Sequence, residues 1–322
     1  MSQKVTFPED FWWGAAMSGP QMEGTFEKPH ENVMDYWYKT SKEEFFNGVG
    51  PTVATDFFHH YKEDIKMNSF RTSIQWSRLI KDLETGEPDE NAVKFYQDVI
   101  DECKKNDIIL VLNLHHFDLP IELFQKYGGW ESKHVVDLYA KFAKTAFELF
   151  GDQVHYWTTF NEPMVIPEAG YLCGFHYPKY VNKGKEAMQV IYNLNLASAK
   201  AIALCHEICD AKIGNILNLT PAYPATDSKE DQETSKIVDA FYNRSFLEPA
   251  VHGVFPQEMI DIMKENDVLW DQNEEELEII KNNTIDFLGV NYYHPKRVKT
   301  RTTPLDCDYW SPEQYYEEYD MP

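Results

Sequence analysis

Six short apolar runs, separated by longer helical patterns, are the strongest constraint on what this chain folds into. Residues 11–16 (FWWGAA), 69–76 (SFRTSIQW), 108–114 (IILVLNL), 155–160 (HYWTTF), 211–219 (AKIGNILNL) and 285–293 (IDFLGVNYY) read as strands. The third is apolar almost throughout, as expected of a parallel strand covered on both faces. Residues 91–105 place Val93, Tyr96, Val99, Ile100 and Cys103 at three- and four-residue steps. Residues 133–150 do the same with Val136, Tyr139, Ala140, Ala143 and Phe147. Each set makes one apolar helical stripe. Residues 185–209, 234–250, 258–265 and 274–281 continue the helical pattern. Strand–helix alternation at this spacing predicts parallel βαβ units in an α/β fold. No solenoid repeat, low-complexity tract or Gly/Ser linker breaks it, so residues 1–322 read as one domain.

Two architectures satisfy that alternation, a doubly wound sheet and a (β/α)8 TIM-type barrel. A dinucleotide-binding sheet carries G-x-G-x-x-G after its first strand, and a phosphate loop carries G-x-x-x-x-G-K-[ST]. Neither occurs. Polar residues instead gather at the C-terminal ends of several strands: Gln21, Gln75 and Arg78, His115 and His116, Asn161 and Glu162, Asn291 and Tyr293. Convergence of strand ends on one mouth is how a barrel builds a site. The expected fold is therefore of the (β/α)8 barrel type.

Charge narrows the function. Lys plus Arg number 30 against 53 Asp plus Glu, a net −23. That argues against nucleic-acid binding and against docking on an anionic membrane. No run of 18 apolar residues suggests a membrane span, and MSQKVTFPEDFWWG lacks the core of a secretory signal. Five sparse cysteines (103, 173, 205, 209 and 307) form no disulfide framework. A reducing, cytoplasmic location is the expectation.

Thr159-Phe160-Asn161-Glu162-Pro163 is the sharpest local signal. Pro163 cannot continue a central ladder, so the strand should stop there. Strict alternation would point Asn161 and Glu162 to opposite faces; a bulge or bend would let both reach the mouth. A carboxyl so placed is a candidate general acid. Arg71 is in phase with Ser73 and Gln75 and out of phase with Phe70, Ile74 and Trp76, which puts it inside the barrel. A guanidinium there needs an anion. The adjacent His115-His116 pair does not suggest metal, because neighbouring side chains on a strand end point apart and no H-E-x-x-H spacing accompanies them. Cys205 and Cys209 share a helix face that His206 does not, which favours packing over ligation. His59-His60 fall in a polar helical pattern. No G-x-S-x-G elbow supports a serine hydrolase.

Residues 155–163 (HYWTTFNEP), 116–120 (HFDLP), 71–78 (RTSIQWSR), 285–293 (IDFLGVNYY) and 21–24 (QMEG) together resemble the family 1 glycoside hydrolases, in order and spacing from about Phe7 to about Tyr293. The resemblance implies a (β/α)8 barrel that hydrolyses β-glycosides with retention. It assigns the acid/base role to Glu162, contacts with sugar hydroxyls to Gln21, His116, Asn161 and Asn291, and support of the nucleophile carboxylate to Arg71 and Tyr293. NLHHFDLPIELFQKYGGW is similar to the bacterial 6-phospho-β-glucosidase branch, in which Phe often stands at the position of Phe117. That branch is cytoplasmic and takes phosphosugars. No metal or organic cofactor is implied, since the reaction needs carboxyls and water.

A retaining glycosidase uses two carboxylates about 5–5.5 Å apart. In the resembled family the nucleophile is the Glu of a T/S-E-N-G motif on the seventh strand, and no such motif occurs in the 322 residues. The resemblance thus implies that about six of the eight βα units of the barrel are present. The expectation is a polypeptide that is incomplete at its C-terminus relative to the family, with open sheet edges that invite pairing. A complementing fragment or an oligomer would then cover those edges. The alternative is a catalytically impaired sugar-binding remnant.

Overall fold

The computed structural model describes residues 6–52, 55, 67–305 and 309–319. His59-His60 and Cys307 lie outside these residues. Six strands form the central sheet: β1 Gly14–Ala16, β2 Ser69–Ser73, β3 Ile109–Asn113, β4 Tyr156–Asn161, β5 Lys212–Asn218 and β6 Phe287–Asn291. They lie in sequence order and every pair is parallel. Each crossover thus steps one place in the same direction. A doubly wound sheet reverses direction at a switch point, so this order is that of a barrel wall.

The sheet is curled. The Trp12 ring, just ahead of β1, lies 4.7 Å from the Tyr156 ring at the start of β4, and Phe287 of β6 lies 6.2 Å from the same ring. In a flat sheet β1 and β4 would stand three spacings apart, about 14 Å. These three rings form an aromatic floor at the N-terminal end of the strands.

Helices α1 Glu90–Lys105, α2 Lys133–Phe150 and α3 Gly184–Ile208 follow β2, β3 and β4. In α1 the Asp89 carboxylate caps the Ala92 N–H, and Lys104 and Lys105 in the last turn complement the helix dipole. The stripe of α2 that includes Val136, Tyr139, Phe142, Ala143 and Phe147 is fully buried. Helix α3 packs between the sheet, α2 and a later helix, which explains why most of its residues are buried.

Between β5 and β6 the expected single helix over 234–250 is instead α4 Lys229–Asp239, a π-helical turn Ala240–Arg244 and α5 Ser245–His252. The wider turn shifts the helical phase, which a continuous 3.6-residue reading misses. Helices α6 Gln257–Glu265 and α7 Glu274–Asn282 match the expected short helices. A small outer sheet of residues 222–224, 296–300 and 316–318 was not expected. Two of its strands are only three residues long, too short to show alternation.

Among the described residues β1 and β6 each pair on one side only. Leu288 and Val290 of β6 are 38% and 50% exposed, and Trp12 and Trp13 beside β1 are 40% and 53% exposed. These are large apolar groups for a water-facing edge.

Candidate active site

The polar ends of β2, β3, β4 and β6 meet in one cleft of about 570 Å³. Its lining includes Gln21, Arg71, His116, Asn161, Glu162, Asn291 and Tyr293, so all seven candidates come together. Glu162 is the one carboxylate lining it among the described residues.

Asn161 and Glu162 both reach the cleft because the backbone changes hand between them and the next turn. Glu162 has φ +49°, and the β4–β5 register shifts between Thr158 and Asn161. A non-glycine residue in that region is uncommon and needs support. Here the Glu162 N–H donates to the Ile216 carbonyl at 2.8 Å, and the Asn161 N–H to the His115 carbonyl at 3.0 Å. On the far side of the strand, the Tyr139 hydroxyl of α2 donates to the Thr159 carbonyl at 2.7 Å.

The Glu162 carboxylate Oε1 accepts from Asn291 Nδ2 at 2.6 Å and from the Tyr293 hydroxyl at 2.7 Å. That leaves Oε2 as the oxygen open to a ligand. The bond to Glu162 raises the Tyr293 phenol above its ordinary range, with Arg71 opposing. Asn161 Oδ1 accepts from Arg71 Nη1 at 2.7 Å and from Asn291 Nδ2 at 3.3 Å. The Asn161 amide is thereby oriented, with its NH2 left for a ligand.

Arg71 is half-buried, and its buried Nε has no partner among the described residues. Burial lowers its pKa, opposed by Glu162 and then Tyr293. Among the described residues no carboxylate stands at ion-pair distance from it. His116 is held neutral: burial first, and then the Arg71 charge, push it down to about 3. A neutral imidazole both donates and accepts, which suits a sugar hydroxyl. Gln21 lies at the third position of the short helix Gly19–Met22, and its Oε1 accepts from the Ser18 N–H and hydroxyl at 3.1 and 3.0 Å. Its amide NH2 is the part left for the cleft.

Gln75 and Arg78, expected at the mouth, are elsewhere. Both turn into a buried network with Glu23, which accepts from Gln75 Nε2 and Arg78 Nε at 2.7 Å each and from the Tyr96 hydroxyl at 3.0 Å. The backbone leaves the sheet after Ser73 and forms a short helix at Trp76–Leu79, so strand phase no longer holds there. His115 is fully buried against Trp130 and Phe160, away from the cleft. Cys205 is buried on α3, while His206 pairs with Asp286 at 3.0 Å. Among the described residues no cluster of His, Cys, Asp and Glu has metal-site geometry. Two residues under the cleft escaped the sequence reading: Asn113, an amide inside an apolar strand run, and Asp118, which caps the His116 N–H at 2.8 Å. A polar residue inside such a run was the available signal.

Glycosyl hydrolase family 1 is matched over residues 3–320. The 6-phospho-beta-glucosidase GmuD of Bacillus subtilis (strain 168) is 47% identical over 331 residues, covering 100% of this chain and 70% of that protein. A 6-phospho-beta-galactosidase of Clostridium acetobutylicum is 37% identical, covering 89% of this chain and 62% of that protein. The family 1 β-glucosidase structure from Thermotoga maritima superposes with a TM-score of 0.85 at 30% identity, covering 98% of this chain and 70% of that one. The chain thus spans between 62% and 70% of the length of these two curated relatives.

Proposed function

The chain belongs to glycosyl hydrolase family 1, and from that premise we propose that it carries the acid/base half of a retaining β-glycosidase acting on 6-phospho-β-glucosides. The observation that carries this reading is Glu162, delivered to a polar cleft by a left-handed turn and ringed by Gln21, His116, Asn161 and Asn291. Glu162 protonates the glycosidic oxygen as the bond to the leaving group breaks. It then takes a proton from the water that releases the sugar. The four neighbours bind the hydroxyls of the terminal sugar.

The nucleophile comes from outside these 322 residues. Two features support this among the described residues: Glu162 is the one carboxylate lining the cleft, and the half-buried Arg71 has no partner for its Nε. A carboxylate arriving beside Arg71 would pair with that guanidinium and face Glu162. The same added segment would cover Leu288 and Val290 on β6 and Trp12 and Trp13 beside β1. It is supplied by further residues of the same polypeptide, by a complementing fragment or by a second copy. Without it, the protein is a sugar-binding fragment that lacks turnover.

The phosphorylated substrate is favoured by the 47% identity to GmuD and by Phe117 lining the cleft. No described helix is long and apolar enough to cross a membrane. The test is hydrolysis of p-nitrophenyl β-D-glucoside 6-phosphate, the galactoside 6-phosphate and the unphosphorylated glucoside. Cleavage of the first once a nucleophile-bearing segment is present, lost in Glu162→Gln, supports the reading. Thermal stabilisation without turnover supports the sugar-binding fragment. Neither effect with any of the three glycosides would sink both.

A further inference from the structure

We propose that Asn113 is a positioning residue that couples His116 to Asn161 by clamping the single peptide group between His115 and His116. The sugar-binding part of this inference rests on the function proposed above. Asn113 closes β3 and is 1% exposed inside the sheet. Its Nδ2 donates to the His115 carbonyl at 2.7 Å, and its Oδ1 accepts the Thr158 hydroxyl at 2.8 Å. The Thr158 bond sets the orientation of the amide, so that the NH2 end faces His115.

The His115 carbonyl also accepts the Asn161 N–H at 3.0 Å. At the other end of the same peptide group, the His116 N–H donates to Asp118 Oδ1 at 2.8 Å. One peptide plane is therefore gripped at its oxygen by Asn113 and Asn161, and at its N–H by Asp118. That plane sets where the His116 side chain leaves the backbone. Its oxygen is also the anchor for Asn161, the residue before Glu162. Apolar packing alone does not call for an amide at position 113, since burying one without partners is unfavourable. Both ends of this amide are used: Oδ1 fixes its orientation on Thr158, and Nδ2 holds the His115 carbonyl.

The variant Asn113→Asp keeps Oδ1 for Thr158 but sets an oxygen against the His115 carbonyl. Hydrogen exchange is read at two amides: Asn161, which donates to His115, and Leu114, which donates to the Thr158 carbonyl at 2.8 Å. The expected result is exchange at Asn161 faster by about tenfold, the equivalent of one hydrogen bond, with Leu114 unchanged. Thr158→Val, which frees the amide to turn, should give a smaller change of the same kind. Unchanged exchange at Asn161 in both variants, or an equal rise at Leu114, would overturn the clamp.

A second arm titrates p-nitrophenyl β-D-glucoside 6-phosphate into the 322-residue protein. Asn113→Asp should weaken binding by about tenfold, in keeping with the sensitivity of a site to displacements near 1 Å. The loss should shrink in a His116→Ala background to the part carried by Asn161, whereas a general loss of stability would persist there in full. Persistence of the full loss rejects the positioning role. If the unaltered protein binds no glycoside, the functional reading fails, and the exchange measurement still decides the clamp.

Discussion

Arg71 and Asn161 sit on strands that are not neighbours, yet the guanidinium donates to the amide oxygen at 2.7 Å. The contact passes over β3 and exists because the sheet curls. It also fixes which end of the Asn161 amide faces a ligand. Asn291 makes the equivalent reach from β6 to Glu162 at 2.6 Å. The cleft is thus held together by side chains spanning the wall.

Replacing Glu162 with Gln keeps the shape and removes the proton. If turnover is present, it should fall by about 10²–10⁴-fold, the usual share of a general acid. Binding of the glycoside should remain, because the other lining residues are untouched. Steady-state rates with the phosphorylated chromogenic substrate check this, and undiminished turnover in the variant would remove Glu162 from the mechanism.

Arg71→Met tests whether that guanidinium has an anion in this protein. With no carboxylate at ion-pair distance among the described residues, the loss of thermal stability should stay within about 1.5–3 kcal/mol, the share of the charge-assisted bond to Asn161, and below the roughly 3–5 kcal/mol of a broken buried ion pair. A large destabilisation would mean that Arg71 already has a charged partner.

Arg78→Met should behave in the opposite way. The Arg78–Glu23 pair at 2.7 Å is buried on both sides, and burial already raises the Glu23 pKa against the opposing Arg78 charge. Removing Arg78 leaves Glu23 without its cation, and denaturant unfolding should show a loss of about 3–5 kcal/mol. The loss should be smaller in Glu23→Gln/Arg78→Met, which removes both charges.

His115 and Asp118 should give the protein a pH-dependent stability with opposing slopes. Burial, then His116 and His176, push His115 down to about 3, below its ordinary 6.5. Its contribution is present above pH 6.5 and is lost as the pH falls toward 3. Burial first raises Asp118 to about 7 from 3.8, so its contribution is present below 3.8 and is lost as the pH rises through 7. His115→Phe should therefore lessen acid destabilisation between pH 6.5 and 3, and Asp118→Asn should lessen the fall between pH 4 and 7. Melting temperatures across pH 3–8 check both signs.

Much of the wall was legible because each strand is a compact apolar run and each long helix carries one stripe. The parallel order follows from the alternation of Tyr156, Ile213 and their neighbours with α2 and α3. His116, Asn161, Glu162, Asn291 and Tyr293 were legible because they stand at or just beyond strand ends, Arg71 because of its phase within Ser69–Ser73, and Gln21, on the helix Gly19–Met22, through the family resemblance. Gln75 and Arg78 were misread because strand phase ends at Ser73, where a helix begins. Asn113 and Asp118 were missed because they act through backbone groups of another residue, a role with no spacing of its own. The π-helical turn at Ala240–Arg244 was invisible to a fixed helical period.

The left-handed torsion at Glu162 has a consequence for how much chemistry a strand end can present. An extended backbone offers a given side one group for every two positions. Reversal at one residue lets consecutive positions serve the same side, here an amide followed by a carboxyl. The crowding of reactive groups at the rim is set by that one rotation together with the register shift just before it, with no extra loop. β-Branched replacements, which resist that rotation, should forfeit the arrangement even where their size would fit.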